Sequence, residues 1–309
     1  HPYQIKDPYG VDIVDMLRAV KIFSVSNSQF ALNNQIFLAG YSEGGYATAA
    51  AQQNIESNHY DELQITASFP MAGAYSMSGI MADVMLNNAP YGEPYYFPYV
   101  LFAYCDYYSE ALPPATSYLT DEYANTLAGM FDGLHSSSDI NSAMPAIPIT
   151  IMKPDSIKSF ESNPNHKLRL ALMENDLYDW TPISPTYLIH GIADELVPFT
   201  NAQLAYDTFI QNGASNVELI PIPGTYGGHQ DVAPYALLAS YDIIEDLKVI
   251  NEIGDVNQDE VINITDVMGI IEIILSGEND LYSIWASDIN QNQNIDIFDL
   301  IAAVDLIIN

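Results

Sequence analysis

The chain has 309 residues with 40 acidic and 8 basic side chains, a formal net charge of −32. That charge argues against nucleic acid or an anionic membrane as partner, and the sequence holds no apolar run of transmembrane length. With a single cysteine, Cys105, no intrachain disulfide is possible.

Taken in order, the N-terminal residues lead through a turn at Asp7-Pro8-Tyr9-Gly10 into an apolar stripe over Val11–Phe23 at helical spacing. Asn33-Asn34 then turns the chain into a short apolar strand, Gln35–Ala39, which runs into Gly40-Tyr41-Ser42-Glu43-Gly44 and a small-residue helix containing Ala47–Gln53. A serine on a sharp strand-to-helix turn is pushed clear of its own backbone. The flanking Gly40 and Gly44 permit the strain and close approach such a turn demands, so Ser42 is the candidate nucleophile. Further strands are predicted at Leu63–Phe69, Pro185–Gly191 and Val217–Ile222, with helices over Asn201–Gln211 and Pro234–Lys248. Strands alternating with helices imply a parallel sheet with its reactive loops at the strand C-terminal ends. The interval from about 76 to 180 breaks that alternation. Rich in Tyr, Phe, Pro and Met, it reads as a helical cap inserted over the strand ends, giving the site an apolar wall. Cys105 lies in this aromatic stretch and is expected to be a buried apolar thiol.

A serine nucleophile needs a base and an orienting acid. Asp194 follows the third strand and is the candidate acid, with Glu195 as its weaker rival. His229, in Gly227-Gly228-His229 after the fourth strand, is the candidate base, expected on a flexible glycine loop. His190 at a strand end is expected to be structural, and His59, His135 and His166 fall in loops or the cap. The order Ser, Asp, His is that of the α/β-hydrolases.

Residues 1–248 resemble the bacterial secretory-lipase-like branch of that fold, through His1-Pro2-Tyr3, Asp15-Met16-Leu17-Arg18-Ala19, Gly40-Tyr41-Ser42-Glu43-Gly44-Gly45, Tyr178-Asp179-Trp180-Thr181-Pro182, Gly191-Ile192-Ala193-Asp194 with Val197-Pro198, and His229. The resemblance implies an α/β-hydrolase fold and hydrolysis of carboxylic esters through an acyl-serine, with no metal or other cofactor in the chemistry. Relatives cleave lipids, short acyl esters, phenolic esters of plant polymers or peptides, so a serine peptidase stands as an alternative. The backbone amide of Glu43 is the expected oxyanion donor. The second comes, in this fold, from a loop after an earlier strand, and only 41 residues precede Ser42. The fold is therefore expected to lack its N-terminal strands, as a fragment of a longer esterase, and a catalytically impaired docking component is the rival function.

Beyond Gly254 a repeat appears. Asp255, Asn257, Asp259, Asn263 and Asp266 are echoed 33 residues later, 255 against 288, by Asp288, Asn290, Asn292, Asp296 and Asp299. Oxygen side chains thus occupy positions one, three, five, nine and twelve of each loop, and Val261 and Asn294 at position seven offer backbone carbonyls, a spacing that suits calcium. Apolar helices follow at Val267–Leu275 and Leu300–Ile308. The segment 253–309 resembles a dockerin, a small all-α module with two structural calcium sites that docks onto cohesins in cellulosomes, which implies a secreted protein and a cohesin-like partner. Glu260 and Gln293 stand at position six, where glycine would relieve strain. The cohesin-facing positions in relatives correspond to Ile264-Thr265 and Ile297-Phe298. The second pair is unusually apolar, so either the partner departs from a standard cohesin or this face packs against the hydrolase.

Overall fold

The computed structural model describes residues 2–26, 32–249, 252–277 and 280–308. His1 of the His1-Pro2-Tyr3 motif and Asn309 at the end of the dockerin-like segment lie outside them. The chain divides into two compact units, His1–Asp12 with Phe37–Asp242 and Ile13–Ile36 with Ile243–Asn309.

The first helix, α1, covers Lys6–Ser26 and so starts before the apolar stripe that predicts it. In the first unit, strand β1 (Phe37–Tyr41) leads into α2 (Glu43–Asn58), and β2 (Ala67–Met71) follows. Both strands sit further along the chain than the sequence predicts. The reason is pairing: Phe37 to Tyr41 run in parallel register with Ala67 to Met71, which draws Gly40 and Tyr41 into the ladder. Strand β3 (Thr186–Gly191) pairs parallel with β2 and with β4 (Val217–Ile222), giving the order β1-β2-β3-β4. Among the described residues no strand precedes β1. Every residue of β2 is buried, as expected of a strand inside a parallel sheet covered on both faces. Helix α2 packs on β1 and β2, its small residues Ala49, Ala50 and Ala51 allowing a close approach.

The segment between β2 and β3 is helical. A π-helical turn (Met77–Met81) runs into α3 (Ala82–Leu86), followed by α4 (Tyr96–Tyr107), α5 (Asp121–Leu127), α6 (Ser137–Ala143), α7 (Pro154–Ser162) and α8 (Lys167–Glu174). Its aromatic residues are mainly packing: the Tyr3 ring stacks on Tyr99 at 4.3 Å, and Tyr99 stacks on Phe131 at 5.4 Å. Cys105 is buried among them, and burial pushes its thiol pKa up to about 12. Helix α9 (Thr200–Gln211) packs on β3 and β4, and α10 (His229–Leu247) follows β4.

In the second unit Gln35 fastens the end of α10, donating from Nε2 to the Leu247 carbonyl and accepting from the Val249 amide. Helices α11 (Ile264–Ser276), α12 (Leu281–Ser287) and α13 (Ile297–Ile308) share a small core of Val267, Ile270, Ile273, Tyr282, Ala286 and Ala303.

Candidate active site

Three chain segments that are far apart in sequence meet at Ser42. The turn at Ser42 is strained, with Ser42 at φ 59° and ψ −118°, a region that L-residues avoid and that persists only where the surroundings enforce it. Part of that enforcement is the Ser42 amide, which donates to the Met71 carbonyl at the end of β2 (2.9 Å). The glycine requirement differs from the one the motif predicts. A Cβ at Gly40 would lie 2.2 Å from the Gly44 carbonyl oxygen and one at Gly45 would lie 2.0 Å from that of Met71, whereas Gly44 has open space. Close approach therefore constrains Gly40 and Gly45, and the second glycine of the motif is free of it.

His229 is the first residue of α10, a correction to the flexible loop expected for it, and it is 5% exposed. Its Nε2 lies 2.8 Å from Ser42 Oγ, and its Nδ1 lies 2.6 Å from Asp194 Oδ2. The carboxylate only accepts, so Nδ1 carries the proton and Nε2 presents a lone pair to the serine hydroxyl. The backbone of His229 is held from both sides as well. Its amide donates to Glu195 Oε2 (3.0 Å), and its carbonyl accepts from the Tyr41 hydroxyl (2.5 Å). Glu195 thus holds the main chain while Asp194 holds the ring, a division of labour that adjacent carboxylates do not announce in sequence.

Asp194 follows β3 and is buried. Its Oδ1 accepts from the amides of Leu196 (3.0 Å) and Val197 (2.8 Å), and its Oδ2 faces both His229 and, at 3.1 Å, His190 Nε2. Burial alone would raise its pKa, but the hydrogen bonds from His190 and His229, with the charge of those rings, lower it to about 2. Glu43 opens α2, beside Ser42, and its side chain accepts a hydrogen bond from the Tyr9 hydroxyl (2.5 Å). Sequence reasoning missed Tyr9 and Tyr41, because only the fold brings them to the turn.

A cavity of about 30 Å³ opens at Ser42 and His229, bounded by Met77, Met81 and Met85 of the helical segment. A second, about 60 Å³ and lined by apolar side chains, shares those methionines and Val100 and continues to Met152, Phe160 and Leu172.

In the C-terminal segment the two loops repeat one hydrogen-bond pattern. Asp255 Oδ1 accepts from the Asp259 amide and Oδ2 from that of Glu260, as Asp288 does from Asn292 and Gln293. Asp266 Oδ2 accepts from the Asn263 amide, as Asp299 does from Asp296. Glu260 and Gln293 carry the left-handed backbone expected at position six, φ 64° and 65°, and Gln258 and Gln291 at position four share it. The side-chain oxygens of Asp255, Asp259 and Asp266 lie within 4.8 Å of one another, with Asp255 and Asp266 fully buried. No lysine or arginine follows Lys248 to balance them, and a set of hard oxygens gathered this closely, two of the three carboxylates buried and Asp259 exposed, fits a divalent cation. In the second loop Asn292 stands where Asp259 stands in the first. The side chains of Ile264, Thr265, Ile297 and Phe298 are exposed.

Residues 253–303 match the dockerin type I domain family. No curated protein sequence matches the chain. Among solved structures it is similar to the rice cell wall degrading esterase LipA from Xanthomonas oryzae, at 26% identity and TM-score 0.69, over 80% of this chain and 67% of that one. A protein described as a hydrolase from Legionella pneumophila matches at 23% identity and TM-score 0.72, over 85% of this chain and 67% of that one. Candida antarctica lipase A matches at 18% identity and TM-score 0.61, over 79% of this chain and 55% of that one. The chain thus spans about two thirds of the esterase and little more than half of the lipase. The parallel sheet, the strained turn after β1 and these likenesses together give the chain an α/β-hydrolase fold of the esterase and lipase kind, followed by a dockerin domain at its C-terminus.

Proposed function

We propose that the chain is a secreted serine carboxylic ester hydrolase that a calcium-dependent dockerin tethers to a cohesin-like partner. The observation that carries the chemistry is the continuous line Ser42 Oγ, His229 Nε2, His229 Nδ1, Asp194 Oδ2, with contacts of 2.8 and 2.6 Å. In this reading His229 takes the Ser42 proton as Oγ attacks the ester carbonyl carbon. The amide of Glu43 donates to the resulting oxyanion, and Asp194 stabilises the imidazolium. Collapse of the tetrahedral adduct breaks the bond to the alcohol oxygen, which leaves with the proton from His229. Water, deprotonated by the same imidazole, then releases the acid and restores Ser42. The apolar cavity behind Met77, Met81 and Met85 supports an apolar acyl group as the bound half of the ester.

For docking, Asp255, Asn257, Asp259, Asn263 and Asp266 would hold one calcium ion and Asp288, Asn290, Asn292, Asp296 and Asp299 a second, with the carbonyls of Val261 and Asn294. The ions would neutralise the buried carboxylates and fix the loops ahead of α11 and α13. Exposed Ile264, Thr265, Ile297 and Phe298 are the proposed contact with the partner. A panel of p-nitrophenyl esters and peptide p-nitroanilides tests the reaction class: ester turnover that Ser42→Ala abolishes is expected, and turnover confined to the anilides would overturn it.

A further inference from the structure

We propose that His190 is a positioning residue of the triad, donating from Nε2 to the same Asp194 oxygen that serves His229 and so setting how tightly Asp194 holds that ring. The inference rests on the triad reading above. His190 is the fifth residue of β3, fully buried next to Ile189 and with Leu188 in the same strand. An apolar residue would fill such a place at lower cost, because a buried imidazole must find partners for its nitrogens. Only one of the two finds them. Nδ1 has no partner among the described residues, while Nε2 lies 2.8 Å from the Val197 carbonyl and 3.1 Å from Asp194 Oδ2. A carbonyl only accepts, so Nε2 carries a proton, and that proton is shared between Val197 and Asp194.

The consequence is a carboxylate pinned at both oxygens. Oδ1 is fixed by the Leu196 and Val197 amides, and Oδ2 is divided between two imidazoles. The Phe199 ring packs edge-on against that of His190, at 5.8 Å between ring centres. Among the described residues the other ionisable groups near the carboxylate include Glu195, next in the chain, Tyr41 on β1 and Tyr91 in the helical segment; the two tyrosine hydroxyls donate elsewhere, to the His229 and Leu196 carbonyls. Removing the His190 donor leaves Oδ2 to His229 alone. Asp194 then holds the imidazolium more tightly, whether the lost ring was neutral or charged, and His229 keeps its second proton to higher pH.

The test uses the full chain with calcium present and a short p-nitrophenyl ester read at the isosbestic wavelength. In His190→Leu the acidic limb of the kcat/KM profile is expected to move up by about one pH unit, the size of one hydrogen bond to a charged group. His190→Gln, which restores a donor of similar reach, is expected to bring the limb back. A folded Leu variant whose limb stays in place overturns the proposal. If the Leu variant does not fold, the ¹⁵N-histidine-labelled wild-type chain decides: the His190 ring signals are expected to respond at the His229 titration midpoint, and flat signals overturn the proposal. Ser42→Ala is run alongside. Activity that survives it defeats the triad reading, whereas its loss with an unmoved His190→Leu profile defeats the His190 assignment alone.

Discussion

Replacing Asp194 by asparagine changes one oxygen into an amide nitrogen, and the surrounding hydrogen bonds dictate where that nitrogen goes. The Leu196 and Val197 amides are both donors and keep the remaining oxygen at the Oδ1 position. The new amide N–H groups therefore face His229 Nδ1 and His190 Nε2, at the sites now separated by 2.6 and 3.1 Å. His229 must accept at Nδ1 and move its proton to Nε2, where it meets Ser42 and has no lone pair to offer. A wrong tautomer in an otherwise intact triad costs about 10⁴-fold in kcat. Stability changes too. The Asp194 pKa is lowered from its ordinary 3.8 to about 2, so the charged form contributes roughly 2 kcal/mol to folding. For a lowered carboxyl pKa that contribution is complete above pH 4 and is lost as the pH falls towards 2. Initial rates on a short p-nitrophenyl ester, with urea unfolding of both proteins at several pH values, are the assay. The stability gap is expected to be widest at neutral pH and to close near pH 2. An Asp194→Asn protein within tenfold of wild-type turnover, or a gap independent of pH, would refute the reasoning.

Other predictions follow from equally local features. Gly45→Ala drives a Cβ to within 2.0 Å of the Met71 carbonyl oxygen and is expected to destabilise by about 3 kcal/mol, while Gly44→Ala, with open space in a helix, is neutral or slightly stabilising; thermal unfolding separates them. Calorimetric calcium titration is expected to show two sites, the tighter one lost in Asp255→Ala because the first loop has a carboxylate where the second has Asn292, with helix circular dichroism falling on chelation. Met152→Trp fills the larger cavity away from Ser42 and is expected to lower the ratio of octanoate to acetate ester turnover at least tenfold.

That Ser42, Asp194 and His229 meet was legible because each follows a strand with a recognisable pattern, and strand C-terminal ends converge in a parallel sheet. Roles that depend on a neighbouring strand or helix were not legible. Gly45 matters because the Met71 carbonyl of β2 arrives against it, and Tyr41 matters because its hydroxyl reaches the His229 carbonyl across the sheet ends. Helix α10 begins at His229, ahead of the apolar pattern that predicts it, since polar residues of a first helical turn carry no periodic signal. The common register of the two acidic loops was readable, because their hydrogen bonds are local and the same pattern recurs in both.

The central claim is that Ser42 is an activated nucleophile. Labelling the purified chain with a fluorophosphonate probe tests it most directly, with Ser42→Ala and His229→Ala as comparisons. Stoichiometric labelling of Ser42 that both substitutions abolish is the expected result. A chain that stays unlabelled, or is labelled equally well without His229, would contradict the account.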